Sequence, residues 1–298
     1  MFTTLVAVIV ALVLGHVAPG MVASLRRFDA YGDWLAWLDA HAGEGSAWRG
    51  RYGIALALLP ALLLVALLQW LLAAPHLGLL ALLFGVLVLA FSWGPRDLDS
   101  DVEAVIEADD LAARRLAIAH LQADGLQVRE DPAGLVEAVA FSALRRWFAP
   151  LFWFLLLGPF GALGYRLLAL AAVGPYAPRL PLGTAAGARV ALAAMEWPVA
   201  QLMTFSLALV GNFESVFGAW RAAGGNRWRL DGGFLGPVAC ASVRGELDAE
   251  AHDYSDAGML VPALRSLPEL RDAMSQIWRV LLLWLVVLAL LVIAGWVS

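Results

Sequence analysis

Residues 54–93 read IALALLPALLLVALLQWLLAAPHLGLLALLFGVLVLAFSW and contain no Asp, Glu, Lys or Arg. A transmembrane helix needs about 20 mostly apolar residues to cross a hydrocarbon core of roughly 30 Å. The stretch is long enough for two such helices, 54–74 and 77–93, joined by a turn at Pro75-His76. It therefore predicts a membrane-spanning helical hairpin.

The composition of the whole chain agrees with this prediction. Of 298 residues, 61% are hydrophobic and 15% are charged, whereas soluble domains average about 45–50% and 25%. The net charge is −5 and all 20 basic residues are Arg, so a basic footprint for nucleic acid is missing. One cysteine, Cys240, excludes a disulfide framework and a Cys-based zinc site. These features exclude a soluble enzyme, a disordered chain and a nucleic-acid binder.

Apolar stretches of spanning length recur along the chain. We predict an all-α, polytopic integral membrane protein of about six transmembrane helices, forming a single domain over 1–298. The predicted spans are 2–18, 54–74, 77–93, 150–173, 190–211 and 280–297.

The distribution of Arg predicts the orientation of these spans. Connection 19–53 carries four Arg, 94–149 carries six and 212–279 carries seven. Cytoplasmic connections carry an excess of basic residues, so these three segments are predicted to be cytoplasmic. With six spans, both termini and the turn 174–189 are then periplasmic.

The cytoplasmic segments have the periodicity and caps of helices. Residues 22–38 form an amphipathic pattern typical of a helix at the headgroup level. Ser100 with Glu103 resembles a capping box, Asp110 precedes the run 111–123, and Asp131-Pro132 begins a further helix.

Two ionisable residues lie inside predicted spans, where they are costly and usually functional. Arg166 is roughly 24 Å from the cytoplasmic edge of its span, and Glu196 is about 9 Å from the outer edge of the next. Both fall in the outer third, so we predict an Arg166–Glu196 pair, either a ligand-binding site or a structural clasp. The polar neighbours are few: Tyr165, Gln201 and Thr204.

A second candidate lies in the last cytoplasmic segment. Arg227 and Arg229 precede Asp231-Gly232-Gly233, and a Gly-Gly turn beside two Arg is suited to holding an anion. Contact with anionic lipid headgroups is the alternative.

An acidic cluster follows this loop. It resembles a metal site by composition but lacks the Asp-x-Asp-x-Asp-Gly calcium spacing, which favours a solvated loop. We predict no metal and no cofactor. The cluster comprises Glu246, Asp248, Glu250, Asp253 and Asp256.

Several motifs resemble the CobD/CbiB membrane proteins of cobalamin biosynthesis. Ala149-Pro150-Leu151-Phe152-Trp153, followed by Gly158-Pro159 and GALGYR at 161–166, is similar to that family's APLF…GGPxGAxxYR region. Ala108 to Arg114 resembles its AGDLxxAR element, and Asp231-Gly232-Gly233 lies where the family has an Asn-Ala-Gly loop. The framework matches are Asp110, Arg114, Pro150, Tyr165, Arg166, Asp231 and Gly232.

The chain departs from the cobalamin enzymes where they carry polar groups. Their Glu-Asn-x-x-Asp element corresponds to Phe141-Ser142-Ala143-Leu144-Arg145-Arg146, and their Asn-Thr-Leu-Asp to Leu168-Ala169-Leu170-Ala171. Their paired Asp in the next span falls near Leu192 and Ala193.

This pattern, with Met195-Glu196-Trp197, resembles the AmpE branch. The resemblance implies a bacterial inner-membrane regulator linked to β-lactamase induction, to peptidoglycan recycling and to an AmpD-type amidase. It implies membrane lipid and a muropeptide as partners, and no catalysis. A membrane-bound amide ligase and a small transporter are the alternatives.

Overall fold

The computed structural model of the chain describes residues 6–12, 28–43, 45–74, 77–94, 97–122, 128–227, 230, 232–256 and 267–294. These residues form helices and turns, with no strand among them. Residues 6–12 are helical, and the helices after them are labelled in chain order. They are α1 Asp29–His41, α2 Gly53–Leu71, α3 Gly78–Ser92, α4 Leu98–Ile106, α5 Leu111–Gln122, α6 Pro132–Ala143, α7 Ala149–Leu157, α8 Pro159–Ala172, α9 Leu182–Val210, α10 Phe213–Ala222, α11 Leu235–Asp256 and α12 Pro268–Ile293.

Four of the described helices are long and apolar enough to cross a membrane. They are α2, α9, α12 and the continuous helix Pro132–Leu157, in which a π-helical turn joins α6 to α7. Helix α2 exposes Leu59, Leu63 and Leu67 rather than burying them, as expected of a face that contacts lipid. The predicted all-α membrane fold is confirmed.

The described residues group into two compact units. One lies within Met1–Asp97, Arg145–Met195 and Leu288–Ser298, and the other within Leu98–Leu144 and Glu196–Val287. We call them the first and second units.

The predicted span 150–173 is not a single helix. Helix α7 ends at Leu157, and Gly158 has a φ of +68°, which a glycine adopts at little cost. Gly161 packs against the carbonyl of Trp153, although residues eight apart in a straight helix are about 12 Å apart. Helix α8 therefore turns back along α7, and the first unit contains a helical hairpin that hydropathy does not distinguish from one span.

The return of α8 changes the predicted topology. The Tyr176 hydroxyl, just beyond α8, donates to the Phe28 carbonyl at 2.7 Å, and the Thr184 hydroxyl donates to the Trp48 carbonyl. Segments in such contact cannot lie on opposite sides of a hydrocarbon core of about 30 Å. The placement of 19–53 and 174–189 on opposite faces is therefore wrong. The periplasmic location of the termini stays a prediction.

Small residues let the start of α9 approach the segment before α2. Gly183 and Gly187 pack directly against the carbonyl oxygens of Arg49 and Arg51, and Gly53 packs against Trp48. Small residues four apart are the usual means of close approach between membrane segments.

The second unit confirms two of the predicted caps. The Asp110 carboxylate accepts from the Ala113 backbone N–H at 2.6 Å, and the Asp131 carboxylate accepts from Gly134 at 3.0 Å. The capping box at Ser100 is wrong, because α4 already begins at Leu98.

The close approach at Gly187 predicts a site that does not tolerate a methyl group. We expect Gly187→Ala to destabilise the protein by about 1–3 kcal/mol, because its Cβ would overlap the Arg51 carbonyl. Gly78→Ala is the control, since its Cβ meets nothing within 4 Å. Thermal unfolding in detergent measures both, and equal melting temperatures would contradict the prediction.

Cys240 on α11 gives a second prediction. Its thiol lies 3.4 Å from the Ala133 carbonyl, and burial, with help from the Glu137 carboxylate, raises the pKa of Cys240. The thiolate is the reactive form, so alkylation by N-ethylmaleimide should be slow at neutral pH and accelerate only at higher pH than for an ordinary thiol. Glu137→Gln should lower the pKa and speed the reaction.

The control is a thiol at the exposed position 100, introduced as Ser100→Cys in a Cys240→Ala background. Mass spectrometry follows alkylation over a pH series. Superimposable rate profiles for the two thiols would show that burial does not protect Cys240.

Candidate functional site

The first candidate residues lie on α8 in the first unit. Tyr165 is 0% exposed and Arg166 is 4% exposed. A guanidinium in so buried a place requires compensating polar or charged groups. Glu196 on α9 is also buried, with 7% of its surface exposed. Their burial fits the expectation that both are more than surface charges, while the pairing of Arg166 with Glu196 stays a prediction.

Gln201, the next candidate, is engaged within the second unit. Its Oε1 accepts from the Trp220 indole N–H at 2.9 Å, and its Nε2 donates to the Gly225 carbonyl at 2.9 Å. Both ends of the amide therefore connect α9 to α10 and to the turn that follows. This geometry makes Gln201 a structural bridge.

An aromatic cluster that the sequence patterns did not indicate surrounds this bridge. Phe217 lies 4.9 Å from Trp220 and 5.3 Å from Phe213, ring centre to ring centre. Phe205 joins them, and the Arg221 guanidinium lies 4.7 Å from the centre of the Phe217 ring. The signal was present, because positions 213, 217 and 220 share one face of a helix.

The candidate anion site is described only in part. Arg227 is exposed, and its backbone N–H closes a turn onto the carbonyl of Gly224, whose φ is +78°. Gly232 is half-buried, while Arg229 and Asp231 lie outside the described residues. Anion or lipid contact at this loop stays a prediction.

The framework residues on the helices are positioned by their local structure. Asp110 caps α5, and the Arg114 backbone N–H donates to the Asp110 carbonyl at 3.0 Å. Pro150 is buried directly after the π-helical turn that joins α6 to α7. Of these three matches, Asp110 holds a helix in place through its side chain.

Part of the acidic cluster has a role that the sequence did not predict. Glu246 lies on α11, and its carboxylate accepts from Gln276 at 2.6 Å and from Arg279 at 2.7 Å. The Trp278 indole N–H donates to Asp99 at 2.9 Å. The expectation of a solvated loop is wrong at Glu246, since α12 binds carboxylates of α4 and α11 within the second unit.

The positions that depart from the cobalamin enzymes are packed. Leu168 and Ala171 are 2% and 0% exposed on α8. Ser142 and Arg146 are fully buried, and the Arg146 carbonyl accepts from the Gly94 N–H at 3.1 Å. Among the described residues, no three of His, Cys, Asp and Glu are grouped as metal ligands.

The comparisons with known proteins identify the family. The family model described as CobD/CbiB protein matches residues 4–234. No curated protein and no solved structure matches the chain. Since the match covers most of the chain, including the GALGYR motif and the Asp110 element, this membrane protein belongs to the CobD/CbiB family.

Proposed function

We propose that this chain is a non-catalytic, AmpE-type regulator of the bacterial inner membrane. The observation that carries the proposal is the burial of Leu168 and Ala171, where the resemblance to the cobalamin enzymes leads us to expect Asn and Asp. A large, amide-rich corrinoid needs polar partners. Apolar side chains packed into a helix core cannot supply them.

The polar contacts of α12 support a mechanism in which a movement of this helix is passed to the helices it contacts, which we call the relay. Helix α12 is long and apolar enough to cross the membrane, and its first half holds Asp99 and Glu246 through Trp278, Gln276 and Arg279. A displacement of this helix would act directly on α4 and α11. We propose that such a displacement passes cell-wall status, sensed through a muropeptide, to the AmpD-type pathway.

Gene deletion tests the proposed role. We expect deletion to change the β-lactamase activity induced by a β-lactam while leaving the uninduced activity unaltered, and a wild-type copy to restore induction. Enzyme assays on induced and uninduced cultures measure this. Unchanged induction in the deletion strain would refute the regulatory role.

A matched pair of variants tests the relay. Glu246→Gln weakens a contact of α12, so it should shift induction in the same direction as deletion. Glu130→Gln is the control, because it weakens the exposed contact with Arg115 at 3.1 Å, which involves no part of α12. Equal induction in both variants, at equal protein levels, would contradict the relay.

The family itself makes an amide ligase the second candidate. Expression in a strain lacking its CobD/CbiB enzyme distinguishes the two, because a ligase restores corrinoid synthesis and a regulator does not. A transporter would instead show solute uptake in proteoliposomes that Arg166→Ala abolishes.

A further inference from the structure

The second unit contains a small cavity that the proposed function does not use. It measures about 140 Å³ and lies between the start of α6, the middle of α11 and the first turn of α12. A cavity of about 150 Å³ holds benzene, a ligand of about six heavy atoms, so this cavity is the size of a small metabolite. Its lining includes Val136, Cys240, Val243, Arg244, Leu247 and Glu269.

Two opposite charges line the cavity. Arg244 lies on α11, and Glu269 lies in the first turn of α12. Within the described part of the chain neither side chain makes an ion pair, so the Arg244 nitrogens lie more than 4.0 Å from the Glu269 carboxylate oxygens. The two charges therefore face one cavity without neutralising each other directly.

The carboxylates next to the lining residues in sequence are already paired. Asp131 lies 3.2 Å and Glu137 lies 3.5 Å from the Arg129 guanidinium. Glu246 lies 2.7 Å from the Arg279 guanidinium. One positive and one negative lining charge therefore remain for an occupant of the cavity.

The other lining side chains are apolar except for a thiol. Val136, Val243 and Leu247 supply hydrocarbon surface. Burial raises the pKa of Cys240, and the Arg244 guanidinium partly offsets that rise, so Arg244 lies close to the thiol. An apolar surface with a few polar groups that fix orientation is the usual lining of a small-molecule site.

We propose that this cavity binds an α-amino acid with a small apolar side chain, whose carboxylate pairs with Arg244 and whose ammonium group pairs with Glu269. Its side chain packs on the apolar lining. Alanine has about six heavy atoms and valine about eight, which is the size that the cavity admits. A ligand that bridges the two charges requires them to be farther apart than in a direct ion pair, as they are. The site is independent of the regulatory role, because binding is measured on purified protein.

Equilibrium dialysis tests the site. The full chain is purified in detergent and dialysed against radiolabelled L-valine, and we expect saturable binding. Isovalerate is valine without its ammonium group, and isobutylamine is valine without its carboxylate. Each should displace labelled valine at least about ten-fold more weakly than unlabelled valine does, because one protein charge is left without a partner.

Two variants separate the roles of the charges. Arg244→Gln and Glu269→Gln should each weaken valine binding by about ten-fold, the low end for hydrogen bonds to charged groups, because both side chains are partly exposed to water. Arg244→Gln should leave the affinity for isobutylamine unchanged, and Glu269→Gln should leave the affinity for isovalerate unchanged. The control is Arg271→Gln, which removes an exposed charge of α12 outside the cavity and should change nothing.

The thiol gives a second measurement. Cys240 is the one cysteine of the chain, so its alkylation by N-ethylmaleimide reports on this cavity alone. Valine should slow the alkylation of Cys240 over the same concentration range in which dialysis shows binding. It should not slow alkylation of the exposed thiol in the protein that carries Ser100→Cys and Cys240→Ala.

Three outcomes would overturn the site: no saturable binding of valine, displacement by isovalerate or isobutylamine at the same concentrations as valine, or unchanged alkylation of Cys240 in valine-saturated protein. Equal valine affinities in the Arg244→Gln, Glu269→Gln and Arg271→Gln proteins would also overturn it. The displacement series uses the wild-type chain, so it decides even if a variant does not fold.

Discussion

The first unit depends on how the polar backbone groups at the Gly158 break are satisfied. A helix that breaks inside an apolar segment leaves carbonyl and N–H groups without partners in the helix, and apolar neighbours cannot supply them. The Gln69 amide does so: Nε2 donates to the Leu157 carbonyl at 3.3 Å, and Oε1 accepts from the Phe160 N–H at 3.1 Å. One side chain of α2 thus compensates both sides of the break.

The hairpin stabilised by Gln69 determines what surrounds it. Because α8 returns along α2, Gly164 packs against Leu62, and Tyr165 and Arg166 are buried rather than exposed to lipid. The same return brings Tyr176 to α1, where its ring meets the Tyr31 ring edge-on at 5.7 Å between ring centres. The burial of Arg166 and the position of the segment after α8 therefore have the same cause, the return of α8.

Sequence reasoning predicted the features that local chemistry determines. The fold class follows from hydropathy, and the caps at Asp110 and Asp131 follow from residue preferences at helix starts. The hairpin was missed because both arms are apolar and their combined length equals one span. The Gly158-Pro159 pair indicates a helix break, but it does not indicate in which direction the second helix leaves the break. The sequence alone indicates that Gln69 is an interfacial residue. Its partners, Leu157 and Phe160, lie 88 and 91 positions further along the chain, so only the structure reveals them.

The candidate residues show the same limit. Gln201 is a candidate because polar groups in spans are rare, but its partner Trp220 lies on a later helix. The acidic run that contains Glu246 predicts a solvated loop, but the partner of Glu246, Arg279, lies 33 residues further on. The sequence shows how many polar side chains the chain has. Only the tertiary structure shows which of them are already hydrogen-bonded to other parts of the protein. A membrane chain has few polar groups, so each one engaged in holding helices together is one fewer for binding a substrate. In this family member Gln69, Gln201 and Glu246 each join helices of one unit, which only the tertiary contacts reveal.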